Sequence, residues 1–314
     1  LHDLQNPDVQ QWIKGQADYT RAVLDSIPAR AATLADIERL EKTTTARIED
    51  VVLMPGGRLL IRRREADAEA ARLYLREGYA GPERMLVDPE DWKKRTGKPH
   101  AIDYAVPSPD GKRVIVGISE AGSEMATAHV VDLATGKDTD APITGIWFGG
   151  SIAWLPDSSG FAYNRIPDLQ PGQDATQQRL NTQAWLHRLG TDSANDALIF
   201  GNRYDERLGI DPASYAVVFM SPGSEHMVAA PLSVESRLTL FTAPRAELTT
   251  ARIQGRKVVT PEDAVRDFEL HGDDLYLLSA TEPNRRIERL SLKTGERSSA
   301  VATGALPIDD IHGT

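Results

Sequence analysis

A chain of 314 residues with 40% hydrophobic and 26% charged content has the make-up of a folded protein, large enough for two or three ordinary domains or one large β-rich one. Its net charge of −10 opposes nucleic-acid phosphates and argues against a nucleic-acid partner. The absence of cysteine excludes disulfides, a thiolate nucleophile and cysteine zinc sites, and fits a cytoplasmic or a periplasmic setting equally. No apolar run approaches the roughly 20 residues that cross a bilayer, so no membrane partner is expected. The opening LHDLQNPDVQ lacks the basic patch and apolar core of a signal peptide, and a start at Leu1 rather than Met reads as a piece of something longer.

The first 45 residues read as a helical extension. Asn6-Pro7-Asp8 supplies a capping side chain and then a proline whose missing N–H is harmless in the first turn. Val9, Trp12, Ile13, Gln16, Tyr19, Thr20, Val23, Leu24 and Ile27 recur at spacings of three and four, and all but Gln16 and Thr20 can contribute to one apolar stripe. Pro28 ends that helix, and Leu34, Ile37 and Leu40 mark a second. Two such helices are too small to hold a core and are expected to dock on another domain.

From about Arg47 the period changes to two, and the second domain is expected to run from 46 to 314. Short β runs alternate with turns rich in Pro, Asp and Gly. PSPDGKRVIVGISEAGSEMATAHVVDLATGK, Pro107 to Lys137, shows the unit best. Comparable units begin at Leu53, Ala153, Met220 and Leu270, and their third runs close near Gly81, Gly136, Gly190, Arg245 and Gly295. A period of roughly 50–55 residues suits four-stranded propeller blades with long loops. Alternating Leu275 and Leu277 with Tyr276 and Leu278 suits a strand packed on both faces. Five units predict a mainly β fold, a β-propeller, with a β-sandwich or a row of small β domains as the alternatives.

Ser119 lies in GISEAG, directly after a strand, as a nucleophile elbow would begin. An elbow needs glycine on both sides of the serine in G-x-S-x-G and a helix behind it. Ala121 stands at the second glycine position and the following SEMATAHVVDL reads as β, so Ser119 is expected at the end of a blade strand. The seven histidines, His2, His100, His129, His187, His226, His271 and His312, show no metal-ligand spacing, and neither metal nor cofactor is expected. No carboxylate pair stands out for glycoside cleavage. DAEAARLYLREG and PEDWKKRTGK read as solvated edges, Tyr163 and Trp185 as core, and Arg165 to Thr182 as a long rim loop.

NPDVQQWIKGQADYTRAVL, with Trp12, Gln16, Asp18 and Thr20, resembles the helical opening of prolyl oligopeptidase-type serine peptidases. The blade from Ala101 to Lys137, with its Ser-Pro-Asp-Gly turn and Gly-Ser-Glu loop, resembles that family's propeller. GSIAWLPDSSGFAYNRIP resembles the blade that follows, through Ala153, Trp154, Asp157, Phe161 and Tyr163. The likeness runs over essentially the whole chain. It implies a seven-bladed propeller, about five blades of it present, that restricts a C-terminal α/β-hydrolase domain to short proline-containing peptides. The N-terminal helices would belong with that hydrolase domain. The family's catalytic serine, aspartate and histidine lie after the propeller, so no catalytic residue is expected here, and the hydrolase domain would be this chain's partner. Phe148, in the glycine-flanked GIWFGG, would face bound peptide in this resemblance; packing between blades is the other account of it. A stand-alone propeller binding module and a propeller glycosidase remain the competing functions.

Overall fold

The computed structural model describes residues 6–250 and 252–311. Helix α1 (Pro7–Asp25) starts as the sequence predicts: the Asn6 side chain accepts the Asp8 N–H at 2.9 Å and Pro7 occupies the first turn. Helix α2 (Arg30–Glu41) follows a short break around Pro28. Neither helix buries a single residue. Trp12 is 55% exposed, Tyr19 70% and Leu40 57%, so the apolar stripe has formed without a surface to cover it. No helix among the described residues is long and apolar enough to cross a membrane.

After α2 the chain forms four-stranded antiparallel sheets, five among the described residues. The first comprises β1 (Ala46–Leu53), β2 (Leu59–Glu65), β3 (Arg72–Arg76) and β4 (Glu83–Val87). The second comprises β5 (His100–Pro107), β6 (Arg113–Glu120), β7 (Ala126–Asp132) and β8 (Ile143–Ile146). In the third lie β9 (Ala153–Trp154), β10 (Gly160–Arg165), β11 (Gln183–Arg188) and β12 (Ala197–Phe200). The fourth holds β13 (Tyr215–Met220), β14 (His226–Leu232), β15 (Leu240–Pro244) and β16 (Arg256–Val259). The fifth holds β17 (Val265–His271), β18 (Asp274–Ser279), β19 (Arg286–Ser291) and β20 (Arg297–Val301). In every sheet the strands pair in chain order. Gly136, Gly190, Arg245 and Gly295 follow the third strands, as the repeat predicts.

Consecutive sheets pack face to face. Leu60, Leu73 and Leu75 of the first sheet share a core with Val114, Val116 and Ile118 of the second. Ile115, between them on β6, turns the other way and joins Tyr104, Val130 and Ile143 against Trp154, Phe161 and Tyr163 of the third. Further cores join the third to the fourth through Leu186, Phe200, Val218 and Phe241, and the fourth to the fifth through Val228, Leu240, Leu275 and Leu277. A two-sheet sandwich would bury one face of each sheet; here the second, third and fourth sheets bury both. Tyr163 is in the core as expected, and Trp185 packs at its edge.

Between the first and second sheets, the segment expected as a solvated edge forms a short helix, α3 (Glu90–Thr96). The Asp88 side chain accepts the Glu90 N–H at 3.0 Å, and Gly97 ends the helix at φ 75°. Seven residues are too few to display a helical apolar period. Its lysines and arginine stay outside while Trp92 packs against the core below.

Gly117, whose presence before Ser119 suggests an elbow, has a packing role instead. It pairs across the sheet with Tyr104, whose ring lies over it so closely that a Cβ would stand only 2.2 Å from the ring carbon Cζ. Gly117→Ala is therefore expected to cost about 1–3 kcal/mol through overpacking. The check is urea denaturation, with a lower midpoint at unchanged slope expected; an unchanged midpoint would show that the ring yields freely.

Candidate functional site

Up-and-down pairing gives each sheet two rims. One rim carries the starts of the first and third strands, the ends of the second and fourth, and the short crossings from sheet to sheet. The other carries the turns between first and second and between third and fourth strands. The crossing from β8 to β9, Trp147 to Ile152, lies on the first rim and contains Phe148. Its 3-10 turn, Gly149–Ser151, touches β5, β10 and β13, so it lies against three sheets at once.

Tyr104 fixes this crossing. Its hydroxyl donates to the Ile146 carbonyl at 3.2 Å, and its Cβ stands so near Gly149 that any side chain there would sit 2.7 Å away. Burial pushes the Tyr104 phenol well above its ordinary range, with the neighbouring Asp103 charge adding to the effect, so it stays a neutral donor. The backbone is held from below, and the two aromatics that follow Ile146 emerge at the rim.

Trp147 and Phe148 are each half-buried. Their rings meet edge to face with centroids 5.2 Å apart. Trp147 also leans on Tyr215, the first residue of β13, at 5.0 Å and 35°. Its indole N–H donates to Glu124 Oε2 at 3.2 Å, from the turn between β6 and β7. The Arg179 guanidinium lies 4.7 Å above the indole ring and donates to the Tyr215 hydroxyl at 3.5 Å. Arg179 comes from the loop between β10 and β11, which is a long rim loop as the sequence predicts. The result is an aromatic platform bounded by one cation and one anion. It has no nucleophile or base; its chemistry is the recognition of flat apolar groups, with a cation–π contact worth about 0.5–1 kcal/mol at such an exposed position.

Sequence reasoning singled out Phe148 and missed Glu124, Arg179 and Tyr215. Their approach to Trp147 depends on three separate sheets meeting at one rim. The one available signal was position, since each adjoins a turn or strand start that the repeat puts on the same rim.

Ser119 lies near the end of β6 and is buried. Its hydroxyl donates to Asp103 Oδ1 at 2.9 Å, across the sheet, with no imidazole in the contact. A carboxylate acceptor holds the proton's oxygen in place but cannot replace a base oriented for attack. Burial raises the Asp103 pKa against the lowering effects of Ser119 and Arg62. The described histidines are placed elsewhere. His129 Nδ1 meets Asp138 at 2.9 Å, His226 Nδ1 meets Asp273 at 2.9 Å, and His100 Nδ1 meets the Lys98 carbonyl at 2.9 Å. His187 lies between Asp140 and Asp196, and His271 is exposed at the end of β17. His2 and His312 lie outside the described residues. Among the described residues no group of three or more His, Asp and Glu side chains is placed to hold a metal.

Repeated four-stranded sheets, packed in series around buried faces and crossing on a shared rim, define the blades of a β-propeller. A family model described as "Prolyl oligopeptidase, N-terminal beta-propeller domain" matches residues 1–302, and the chain belongs to that family. It is 23% identical to a prolyl endopeptidase of Elizabethkingia meningoseptica over 93% of this chain and 39% of that protein. It is 29% identical to prolyl oligopeptidase A of Galerina marginata over 62% of this chain and 29% of the relative. The chain therefore spans well under half the length of these curated relatives. Among solved structures, one from a study of two prolyl endopeptidases and their inter-domain dynamics has the same fold, with a TM-score of 0.79 and 24% identity over 97% of this chain and 43% of that one. Prolyl oligopeptidase B of Galerina marginata, bound to a 35-residue substrate, gives 0.73 at 21% identity over 96% of this chain and 44% of that one.

The contacts of Ser119 lead to a direct test. A fluorophosphonate probe is expected to leave the folded chain's mass unchanged. Labelling at Ser119 would restore it as a nucleophile.

Proposed function

We propose that this chain is the gating part of a prolyl oligopeptidase-type serine peptidase that cleaves short proline-containing peptides. Residues 1–45 form its helical extension, and 46–314 about five blades of a seven-bladed propeller. The catalytic serine, histidine and aspartate belong to a C-terminal hydrolase domain, the partner of this chain. The propeller's work is to admit short peptides, exclude folded protein and supply part of the cavity wall.

One observation carries this reading. The N-terminal helices expose a complete apolar stripe, and α2 runs into the start of β1, on the same rim as the aromatic crossing. An apolar helix face without a core to cover is a surface made for another body. Its position supports a partner on the rim where Trp147 and Phe148 emerge. Phe148 would then face the peptide held between the two parts. A pyrrolidine ring suits such a platform, being compact, apolar and weakly hydrated.

Two measurements test the proposal. The 314-residue chain incubated with a chromogenic prolyl peptide is expected to show no turnover, and robust serine-dependent turnover would overturn the assignment. In the full-length peptidase carrying this propeller, Phe148→Ala is expected to raise KM by about 2- to 10-fold, the range for one lost aromatic contact, with kcat nearly kept. An unchanged KM would remove Phe148 from the substrate path.

A further inference from the structure

We propose that Asp140, His187 and Asp196 form a proton-operated latch, which holds the outer part of the second sheet to the third and lets go when the imidazole loses its second proton. His187 sits on β11 with its side chain 1% exposed. Its Nδ1 lies 2.9 Å from Asp196 Oδ1, on the turn before β12 of its own sheet. Its Nε2 lies 3.2 Å from Asp140 Oδ2, on the loop between β7 and β8 of the neighbouring sheet. Both carboxylates are almost fully buried, Asp140 at 5% and Asp196 at 2% side-chain exposure. A neutral imidazole has one N–H and can serve one of these acceptors; the imidazolium serves both.

The surroundings reinforce that requirement. Asp196 also accepts the Tyr163 hydroxyl at 2.7 Å, and Asp140 accepts the Gly190 N–H at 2.9 Å. The Phe161 ring lies 5.2 Å from the imidazole and excludes water on that side. Arg188, the next residue, sends its guanidinium to Ser159 Oγ, and Arg165 acts on Tyr163 from the far end of β10. Asp138, on the same loop as Asp140, is taken up by His129. Among the described residues, the ion pairs of Asp140 and Asp196 are with His187 alone. Two carboxylates flanking one dry site repel each other unless a cation stands between them.

Burial by itself would strip the proton from His187. The hydrogen bonds its ring donates to Asp196 and Asp140, with the charges of those carboxylates, outweigh burial and hold its pKa above the ordinary value. Linkage then sets the sign. The latch contributes fully below the unfolded histidine value, about 6.5, and its contribution disappears as pH rises through the elevated folded value.

Release would be local, because the inner strands of the same two sheets are joined by groups that do not titrate near neutrality. Trp154 Nε1 donates to the Val106 carbonyl at 3.1 Å, and the Asp110 N–H donates to Ser158 Oγ at 3.1 Å. The inner strands act as the hinge and His187 as the catch. Glu124 belongs to the second sheet and Arg179 to the third, so a change in the angle between these sheets alters the aromatic platform on the opposite rim.

The experiment is amide hydrogen exchange of the 314-residue chain from mildly acidic to alkaline pH, corrected for intrinsic rates, beside an NMR titration of the His187 ring. Protection of the Gly190 amide is expected to fall by about tenfold or more as His187 deprotonates, the equivalent of one charge-assisted hydrogen bond. The Asp110 amide should keep its protection throughout. In His187→Gln and in Asp140→Asn the pH-dependent step at Gly190 should vanish. Constant Gly190 protection in the wild type, the same step in either variant, or a His187 ring already neutral at pH 6 would overturn the latch. The wild-type measurements decide the matter if His187→Gln fails to fold.

Discussion

A four-stranded antiparallel sheet with apolar side chains on both faces cannot cover itself. That constraint organises this protein. Each sheet needs a neighbour on either side, and a chain of such sheets meets the need by stacking them in series. The alternation on β6 shows the solution at single-residue scale: Val114 and Val116 face the first sheet, Ile115 the third, and all three are completely buried. The ends of the series show what happens without a neighbour. Ile48, Val51 and Leu53 on β1 are half to largely exposed, and every residue of β20 is exposed.

Apolar stacking is strong but has little directional preference, so polar contacts have to set the register between sheets. They are concentrated at the turns. Arg58 reaches the Gly111 carbonyl from the first sheet to the second, the Asp110 N–H reaches Ser158 from the second to the third, and Ser224 with the Glu225 N–H reaches Asp273 from the fourth to the fifth. Farther out, Arg84 caps the Leu133 carbonyl and Arg256 the Leu292 carbonyl in comparable places. These contacts occupy the rim opposite the aromatic crossing. The crossing rim carries contacts of the same kind, with Arg62 donating to the Ile102 and Asp103 carbonyls and Asn164 Nδ2 to the Ala216 carbonyl, so both rims fix the angles between sheets.

The same physics explains what could be read from the residues. Period-two alternation and the Ser-Pro-Asp-Gly class of turn are local, so the repeat and the turns after the third strands were legible at Gly136, Gly190, Arg245 and Gly295. The helices were legible for the same reason, through the Asn6 cap and an apolar stripe of helical period. Ala121 was enough to reject an elbow at Ser119. Why Gly117 is glycine was not legible, since the reason is the Tyr104 ring on the neighbouring strand. Nor was the platform around Phe148: Glu124 lies 23 positions from Trp147, and Arg179 lies 36 from Tyr215. No local pattern encodes such meetings. They exist because three sheets converge on one crossing. Asp140 and His187, 47 positions apart, meet for a similar reason on the opposite rim.

Distance from the hinge gives the outer contacts their influence. Near the inner strands a lost hydrogen bond changes little, because Trp154, Tyr104 and the packed core around Phe161 keep the backbones together. At the third and fourth strands the sheets are held over a longer arm, and each contact there restrains a larger angular motion. Guanidinium groups keep their charge throughout the accessible pH range, so caps of that kind act as fixed stops. The contact between the second and third sheets differs in placing a buried imidazole between two carboxylates, whereas the imidazole between the fourth and fifth sheets, His226, meets the single carboxylate of Asp273. Asp140 lies seven residues before the Trp147–Phe148 crossing. The crossing that supplies the aromatic platform thus joins the same two sheets that this buried imidazole holds together on the opposite rim.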